Sequence, residues 1–168
     1  MTRAPDEIAC ALLNHFFSDY KVYRGYQNEV KYPNKYIVAA ITNTKALGTP
    51  LNKYDPVKQI KTISQLLGAD IQADVYGESA SVDAAKLQAL LWSDLASNYL
   101  QERFNVGVLQ VQQIQNLTDT FDSENYLPRY VITFTLSYYS DTEYNQDSAN
   151  ELSGFKLHNI DVDFKSEE

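Results

Sequence analysis

The chain has 168 residues, with 14 Lys and Arg against 22 Asp and Glu for a formal charge of −8, and 44% of its residues are hydrophobic. That length supports one core burying roughly 70% of the surface of the unfolded chain, and the composition excludes a largely disordered polymer, so a single soluble domain is expected. A sequence pI near 4.7 with no basic stripe disfavours sequence-specific nucleic-acid binding, because phosphate backbones repel such a surface.

Ile8, Leu12 and Phe16, beside Ala9, Leu13 and Phe17, form two rows at four-residue spacing and predict a first helix over Pro5 to Phe17. Pro5 suits an early helical position, and Asp6 and Glu7 favour the positive end of the helix dipole. Lys21 to Arg24 predicts a short strand closed by Gly25. Tyr36 to Ile41, aromatic and β-branched and following Pro33, predicts a strand buried on both faces. Thr42 to Pro56 contains Gly48, Pro50 and Pro56 without a sustained apolar period and reads as a long exposed loop, a kind of segment that usually has a function. From Ile63 to Val75 apolar and polar residues alternate, which predicts a long strand with one wet face. It can begin as early as Val57, as the arm of a hairpin that outruns the body of the domain, and Gly77 stops it.

Ser81 is the expected N-cap of a second, longer helix, with Asp83 in its first turn, a face of Ala84, Leu87, Leu91 and Leu95, and Asn105 and Gly107 as its stop. Val106 to Ile114 reads as a strand. The polar stretch Asn116 to Asn125 leads to the clearest strand of the chain, Tyr130 to Tyr138. Asp141 to Asn150 is polar and acidic. Phe155 and Leu157, then Ile160, Val162 and Phe164, resume the alternation with a change of parity near His158 that implies a bulge. No internal repeat or linker marks a second domain. The expected fold is α/β of the α+β kind: one mixed, mostly antiparallel twisted sheet with a long hairpin, packed against two helices.

The residues offer little chemistry. The longest apolar run, Tyr36 to Ile41, is far short of the roughly 18 residues of a membrane span. The first residues turn acidic and lack the segments of a secretory signal, so export by that route is not expected. Cys10, the single cysteine, reads as a small buried hydrophobe in a protein made in a reducing cytosol. The two histidines, His15 and His158, read as structural or surface rings, and the five-residue spacing of Cys10 and His15 turns them away from a shared helical face. Asp141, Glu143, Asn145 and Asp147 alternate as in a calcium loop, but Gln146 and Leu152 stand where such a loop needs glycine and glutamate. The glycines are too scattered to cradle a phosphate, and Asn116-Leu117-Thr118 reads as a chance sequon. No catalytic residue, cofactor or metal is expected. The chain does have an excess of tyrosine, 13 residues against 7 Phe. Tyr26, Tyr32, Tyr54, Tyr76, Tyr126, Tyr139 and Tyr144 lie at expected strand ends or loops, where tyrosine serves contacts between proteins.

Four short motifs occur in order: Arg24-Gly25-Tyr26-Gln27-Asn28, Leu47-Gly48-Thr49-Pro50, Asp74-Val75-Tyr76-Gly77-Glu78 and Tyr126-Leu127-Pro128-Arg129-Tyr130. With the helix, hairpin, helix, paired-strand order, the chain from about Ala4 to Tyr139 resembles the phage neck and tail-terminator family. The resemblance implies a structural virion protein that forms a ring, generally of six subunits, capping the tail tube and joining it to the neck and head connector. Its implied partners are other copies of itself, the tail tube protein and neck or head–tail connector proteins, with sheath as a further candidate; DNA passes through the lumen without specific binding, and no membrane is involved. The implied location is the virion tail or neck, after synthesis in the host cytoplasm. Contact residues are expected at Arg24, Tyr26, Gln27, Asn28, Leu47, Gly48, Thr49, Pro50, Tyr54, Tyr126, Pro128 and Arg129, within the loop Lys45 to Asp55 and the segment Phe121 to Arg129 among others. Arg24 and Arg129 suit two-pronged bonding to a carboxylate. Residues 1–141 make the terminator-like domain and 142–168 an acidic extension that can add a strand. The competing readings are another neck or head–tail adaptor protein and an acidic protein-binding module; an enzyme comes last.

Overall fold

The structure, a computed structural model, describes residues 3–27, 32–122 and 125–145, the side chains of 119–126 excepted. Asn28, the strand expected around Phe155 to Phe164 with His158, and the side chain of Tyr126 lie outside the described residues. The elements run α1 (Pro5–Phe16), β1 (Lys21–Arg24), β2 (Tyr36–Ala46), β3 (Leu51–Asp55), β4 (Ile60–Tyr76), α2 (Ala80–Leu91), α3 (Asp94–Phe104), β5 (Gly107–Val111), β6 (Gln115–Asn116), β7 (Asp119–Asp122), β8 (Asn125–Leu127) and β9 (Arg129–Asn145). The main sheet is open and mixed, ordered β1-β2-β4-β9-β5, with β3 added to β4 and β6 to β9, while β7 and β8 form a separate ribbon. Strand β1 runs parallel to β2, and the other pairs of the main sheet are antiparallel.

The odd positions of β4, Ala69, Ile71, Ala73 and Val75, stand opposite Leu136, Phe134, Ile132 and Tyr130 of β9 and share the sheet face on which the core forms. Ile8, Ala9, Leu12 and Leu13 of α1, Ala84, Leu87 and Leu91 of α2, and Ala96 and Leu100 of α3 complete that core. The two rows read from the sequence are the buried face of α1. Between α1 and α3 the contact is aromatic: His15 stacks on Tyr99 with ring centroids 4.5 Å apart, Phe16 meets Tyr99 edge-on, and the Tyr99 hydroxyl donates to the Ala11 carbonyl.

The second helix expected from the sequence is two helices. Ser93 breaks it: its hydroxyl donates to the Leu90 carbonyl and accepts the Ala96 N–H, ending α2 and capping α3 in one residue. Among the described residues the helices are therefore three, not two. Ser81 lies inside α2, whose N-cap position is Ser79. Asn105 ends α3 in the left-handed conformation, φ 53°, as expected, whereas Gly107 already belongs to β5. Asp83, buried in the first turn of α2, accepts from the Tyr20 hydroxyl at 2.7 Å, from Ser79 at 2.6 Å and from Lys86 at 2.8 Å, which ties the turn after α1 to α2.

The long loop expected over Thr42 to Pro56 is instead the second arm of the hairpin. β2 continues to Ala46 and, after the interruption at residues 47–50, β3 resumes along the same edge of β4, so that Ala46 faces Leu67 and Leu51 faces Ser64. The interruption is held by Gln65, whose amide donates to the carbonyls of Gly48 at 2.6 Å and Leu66 at 3.1 Å. The turn at residues 56–59 is an Asx-type closure in which the Asp55 carboxylate accepts the amides of Val57 and Lys58. β4 and β9 pair without interruption from Ile60–Asn145 to Tyr76–Arg129. Full burial along β4 begins at Gly68 and along β9 ends at Leu136. The remaining eight or so residues of each strand, with β3, form an arm that projects roughly 25 Å past the core.

Candidate assembly surfaces

The face of the sheet opposite the helices is a polar and aromatic surface built by the even positions of β4. Asp70, Gln72, Asp74 and Tyr76 stand across from Thr135, Thr133, Val131 and Arg129. On β2 the side-chain parity matches this face only because of a bulge at Thr42: Ile37, Ala39 and Ile41 point to the core, and after the extra residue Asn43 and Lys45 point to the wet face. The Thr42 hydroxyl fixes the bulge by donating to the Asp70 carbonyl at 3.1 Å.

Two carboxylates organise the surface. Asp70 accepts from Thr135 at 2.6 Å, Asn43 at 3.1 Å and Lys45 at 3.4 Å, and the Thr135 bond, joined by those of Asn43 and Lys45, outweighs partial burial to hold its carboxyl below the usual range. Asp74 accepts from Arg129 at 2.9 Å and from Gln72 at 2.9 Å. The Arg129 guanidinium also lies over the Tyr76 ring, 5.7 Å from its centroid. Tyr76 begins a stack that continues through Tyr36 and Tyr32, with centroids 4.4 and 4.5 Å apart and Tyr23 edge-on against both Tyr32 and Tyr36. Burial, then the neighbouring tyrosines, pushes the Tyr36 phenol up to about 12, so it stays a neutral hydrogen-bonding group at any physiological pH.

The first motif lies at the opposite edge of the sheet. Arg24 reaches back to α1, donating to Asp6 at 2.7 Å and Glu7 at 2.9 Å. Gly25 donates its N–H to Ala39 at 2.7 Å, and a Cβ there would stand 2.5 Å from the Cβ of Ala40, so only glycine lets β1 run this close to β2. Tyr26 follows in the left-handed conformation, φ 63°, and is 91% exposed.

Of the remaining expected contact residues, Leu47 is half-buried and closes with Thr135 over Gly68, while Gly48, Thr49 and Pro50 are exposed at the break between β2 and β3. Tyr54 stands on the arm opposite Lys61, whose other neighbour across the sheet is Tyr144. Pro128 accepts the Gly77 N–H, with Gly77 at φ +135°, which sets the sharp exit from β4 beside Arg129. Leu47 and Arg129 thus occupy opposite ends of one face, and Arg24 and Tyr26 a separate edge. The two arginines singled out from the sequence both bond carboxylates of their own chain. Sequence reasoning missed Tyr23, Tyr36, Asp70 and Asp74 on the wet face, although the alternation in β4 had already marked that face as polar. It also missed Val57 at the arm tip, 91% exposed, and Trp92 at the α2–α3 break, 63% exposed.

Among the described residues the one histidine, His15, stacks on Tyr99. Burial first, and then the nearby Asp6 and Glu7, pushes the Cys10 thiol up to about 11, so it is protonated at neutral pH.

In comparisons with known proteins, residues 7–162 match a family described as phage neck terminator protein. No curated protein matches the chain.

Proposed function

Because the chain belongs to the phage neck terminator protein family, whose role is structural and lies in the neck and tail of the virion, we propose that copies of it close into a ring, six by the family resemblance, that caps the tail tube and joins it to the neck. The observation that carries this reading is the projecting arm. A ring needs a head-to-tail contact in which one surface of a subunit meets a different surface of the next. The arm supplies the first kind of surface: its end carries Val57 in a fixed turn, with Lys53, Lys58 and Lys61 there outnumbering Asp55 and Glu143. In a chain of net charge −8 this end has the opposite sign to the average surface, which favours docking against a neighbour. The Tyr76–Arg129 end of the wet face and the Tyr26 edge are the second kind.

In this reading Arg24, Tyr26, Gln27, Asn28, Leu47, Gly48, Thr49, Pro50, Tyr54, Tyr126, Pro128 and Arg129 lie at or beside contacts. Arg24 and Arg129, each anchored to a carboxylate of its own chain, stiffen the surfaces they present. Tube protein, neck and connector proteins and, where present, sheath are the partners. Capping is mechanical: the closed ring covers the growing edge of the tube with a surface that further tube subunits cannot pair with. The acidic balance lets DNA pass through the lumen without sticking. After synthesis in the host cytoplasm the subunit ends in the virion.

Sizing and negative-stain imaging of the purified protein, alone and with tube subunits, test the reading. Closed rings and tubes that cease to lengthen are expected. Val57→Asp, at a position that contributes nothing to the core, should keep the wild-type melting temperature and lose ring formation. A strictly monomeric protein that never caps tubes, or a Val57→Asp variant that assembles normally, refutes it.

A further inference from the structure

β9 has two edges, and they are treated differently. Toward β4 it is paired along its whole length from Arg129 to Asn145. On the outer side β6 pairs at Tyr130 and Val131, Gln112 donates to the Thr133 carbonyl, and β5 pairs from Phe134 to Ser137. Beyond Ser137 nothing among the described residues bonds to that edge. Residues 138–145 therefore present a row of backbone donors and acceptors along the arm, a template to which another strand adds readily.

The chain itself leaves from this strand, since residues 146–168 follow Asn145 directly. Within them Phe155 and Leu157, then Ile160, Val162 and Phe164 after a change of parity near His158, carry the spacing of a bulged strand, ten residues long against eight open positions. The nine residues 146–154 are enough for the chain to reverse, because closing a loop of that size costs little more than closing a tight one. A strand returning along the outer edge of β9 from the arm end arrives at a cleft of about 700 Å³ between that edge, the start of α1 and the end of α3. The lining is mostly polar, with Arg3 and Arg103 against Glu102 and Asp141; its exposed apolar part is Phe104, over whose ring Arg3 lies, and Tyr138. This matches a segment in which Ile160, Val162 and Phe164 alternate with Asp161 and Asp163. The family match runs to residue 162 and so takes in most, though not all, of this segment.

We propose that residues 155–164 add to the outer edge of β9 of the same chain as an antiparallel strand, closing the arm and seating the apolar side chains nearest the C-terminus in the cleft. The short connection gives the segment of the same chain a far higher effective concentration than that of a neighbour. Such pairing needs no ring.

Hydrogen exchange on the full-length protein tests this. The outward-facing amides of residues 139–145 should be protected in the wild type, and Ile160→Pro, which removes an N–H and cannot sit in a ladder, should speed their exchange at least tenfold. The amides of residues 71–75 report whether the body is still folded and should be unchanged. Val162→Glu, which keeps its N–H but not its apolar side chain, should give a smaller acceleration in the same residues. Outer-edge amides that exchange at the unprotected rate in the wild type, or equally fast in wild type and both variants, overturn the proposal. Protection that disappears on dilution together with self-association assigns the strand to a neighbouring copy and also overturns it.

Discussion

Asp83→Ala tests whether the turn after α1 is tied to α2 by one buried carboxylate. Asp83 is 5% exposed and Tyr20 is 4% exposed. The substitution leaves the Tyr20 hydroxyl without its acceptor, at about 1–3 kcal/mol for a buried donor, and removes a negative charge from the first turn of a helix, at about 0.5–1 kcal/mol. The expected loss is about 3 kcal/mol. The acid limb of the stability profile gives an independent figure. Burial by itself raises the Asp83 carboxyl, but bonds from Lys86, Ser79 and Tyr20 outweigh it and bring the group from 3.8 down to about 2. A carboxyl held down in the folded state contributes stability that is fully present above its unfolded value and is lost as pH falls through its folded value. That window runs from 3.8 to about 2 and corresponds to about 2 kcal/mol, at roughly 1.4 kcal/mol per pH unit. Urea unfolding of wild type, Asp83→Ala and Asp83→Asn at pH 7, and of wild type and Asp83→Asn from pH 5 down to 2.5, measures both quantities. Wild type should lose most of that margin relative to Asp83→Asn over the acid range. An Asp83→Ala cost below about 0.5 kcal/mol, the scale of an ordinary surface change, or parallel acid profiles for wild type and Asp83→Asn, refutes the reasoning.

Gly25→Ala places a Cβ 2.5 Å from that of Ala40 and should cost about 1–3 kcal/mol by overpacking two paired backbones. Thermal melts should show most of the loss recovered by adding Ala40→Gly, and a neutral single variant would show that β1 is free to move away. Arg129→Ala leaves Asp74, 9% exposed, with Gln72 as its remaining side-chain donor and should cost about 3 kcal/mol. In a double-mutant cycle with Asp74→Ala the combined loss should be well below the sum of the two, and strict additivity would mean that the pair is not coupled.

Much of the body is legible in the sequence because it has a dry side. The rows Ile8-Leu12-Phe16 and Ala9-Leu13-Phe17, the alternation through Ile71, Ala73 and Val75, and the run Ile132-Phe134-Leu136 each mark a face that meets the core. The arm has no such contrast. Thr44, Lys45 and Ala46 are exposed, so from Thr42 to Asp55 no period of two develops, and the bulge at Thr42 inverts the pattern just where β2 leaves the core. The helix break was present as Ser93-Asp94, a cap and first-turn acid, but the apolar spacing from Leu87 through Leu91 to Leu95 runs straight across it. Leu95 in fact points to solvent, at 61% exposure. Among the candidate contacts, the tyrosine excess was visible, yet the stack joins Tyr36 and Tyr76, which meet through strand register, to Tyr32 from the segment before β2. No local pattern encodes which tyrosines meet across paired strands.

The uninterrupted β4–β9 ladder also orders the sequence of events in folding. Its pairs join positions 53 residues apart at Tyr76–Arg129 and 85 apart at Ile60–Asn145. Once the first has closed, each next pair adds only two residues to an existing loop and costs little further chain entropy. By the same arithmetic the ladder is easiest to extend outward from the core, whereas the turn at residues 56–59 joins neighbours in sequence and can close by itself, so the two ends of one sheet order by separate routes.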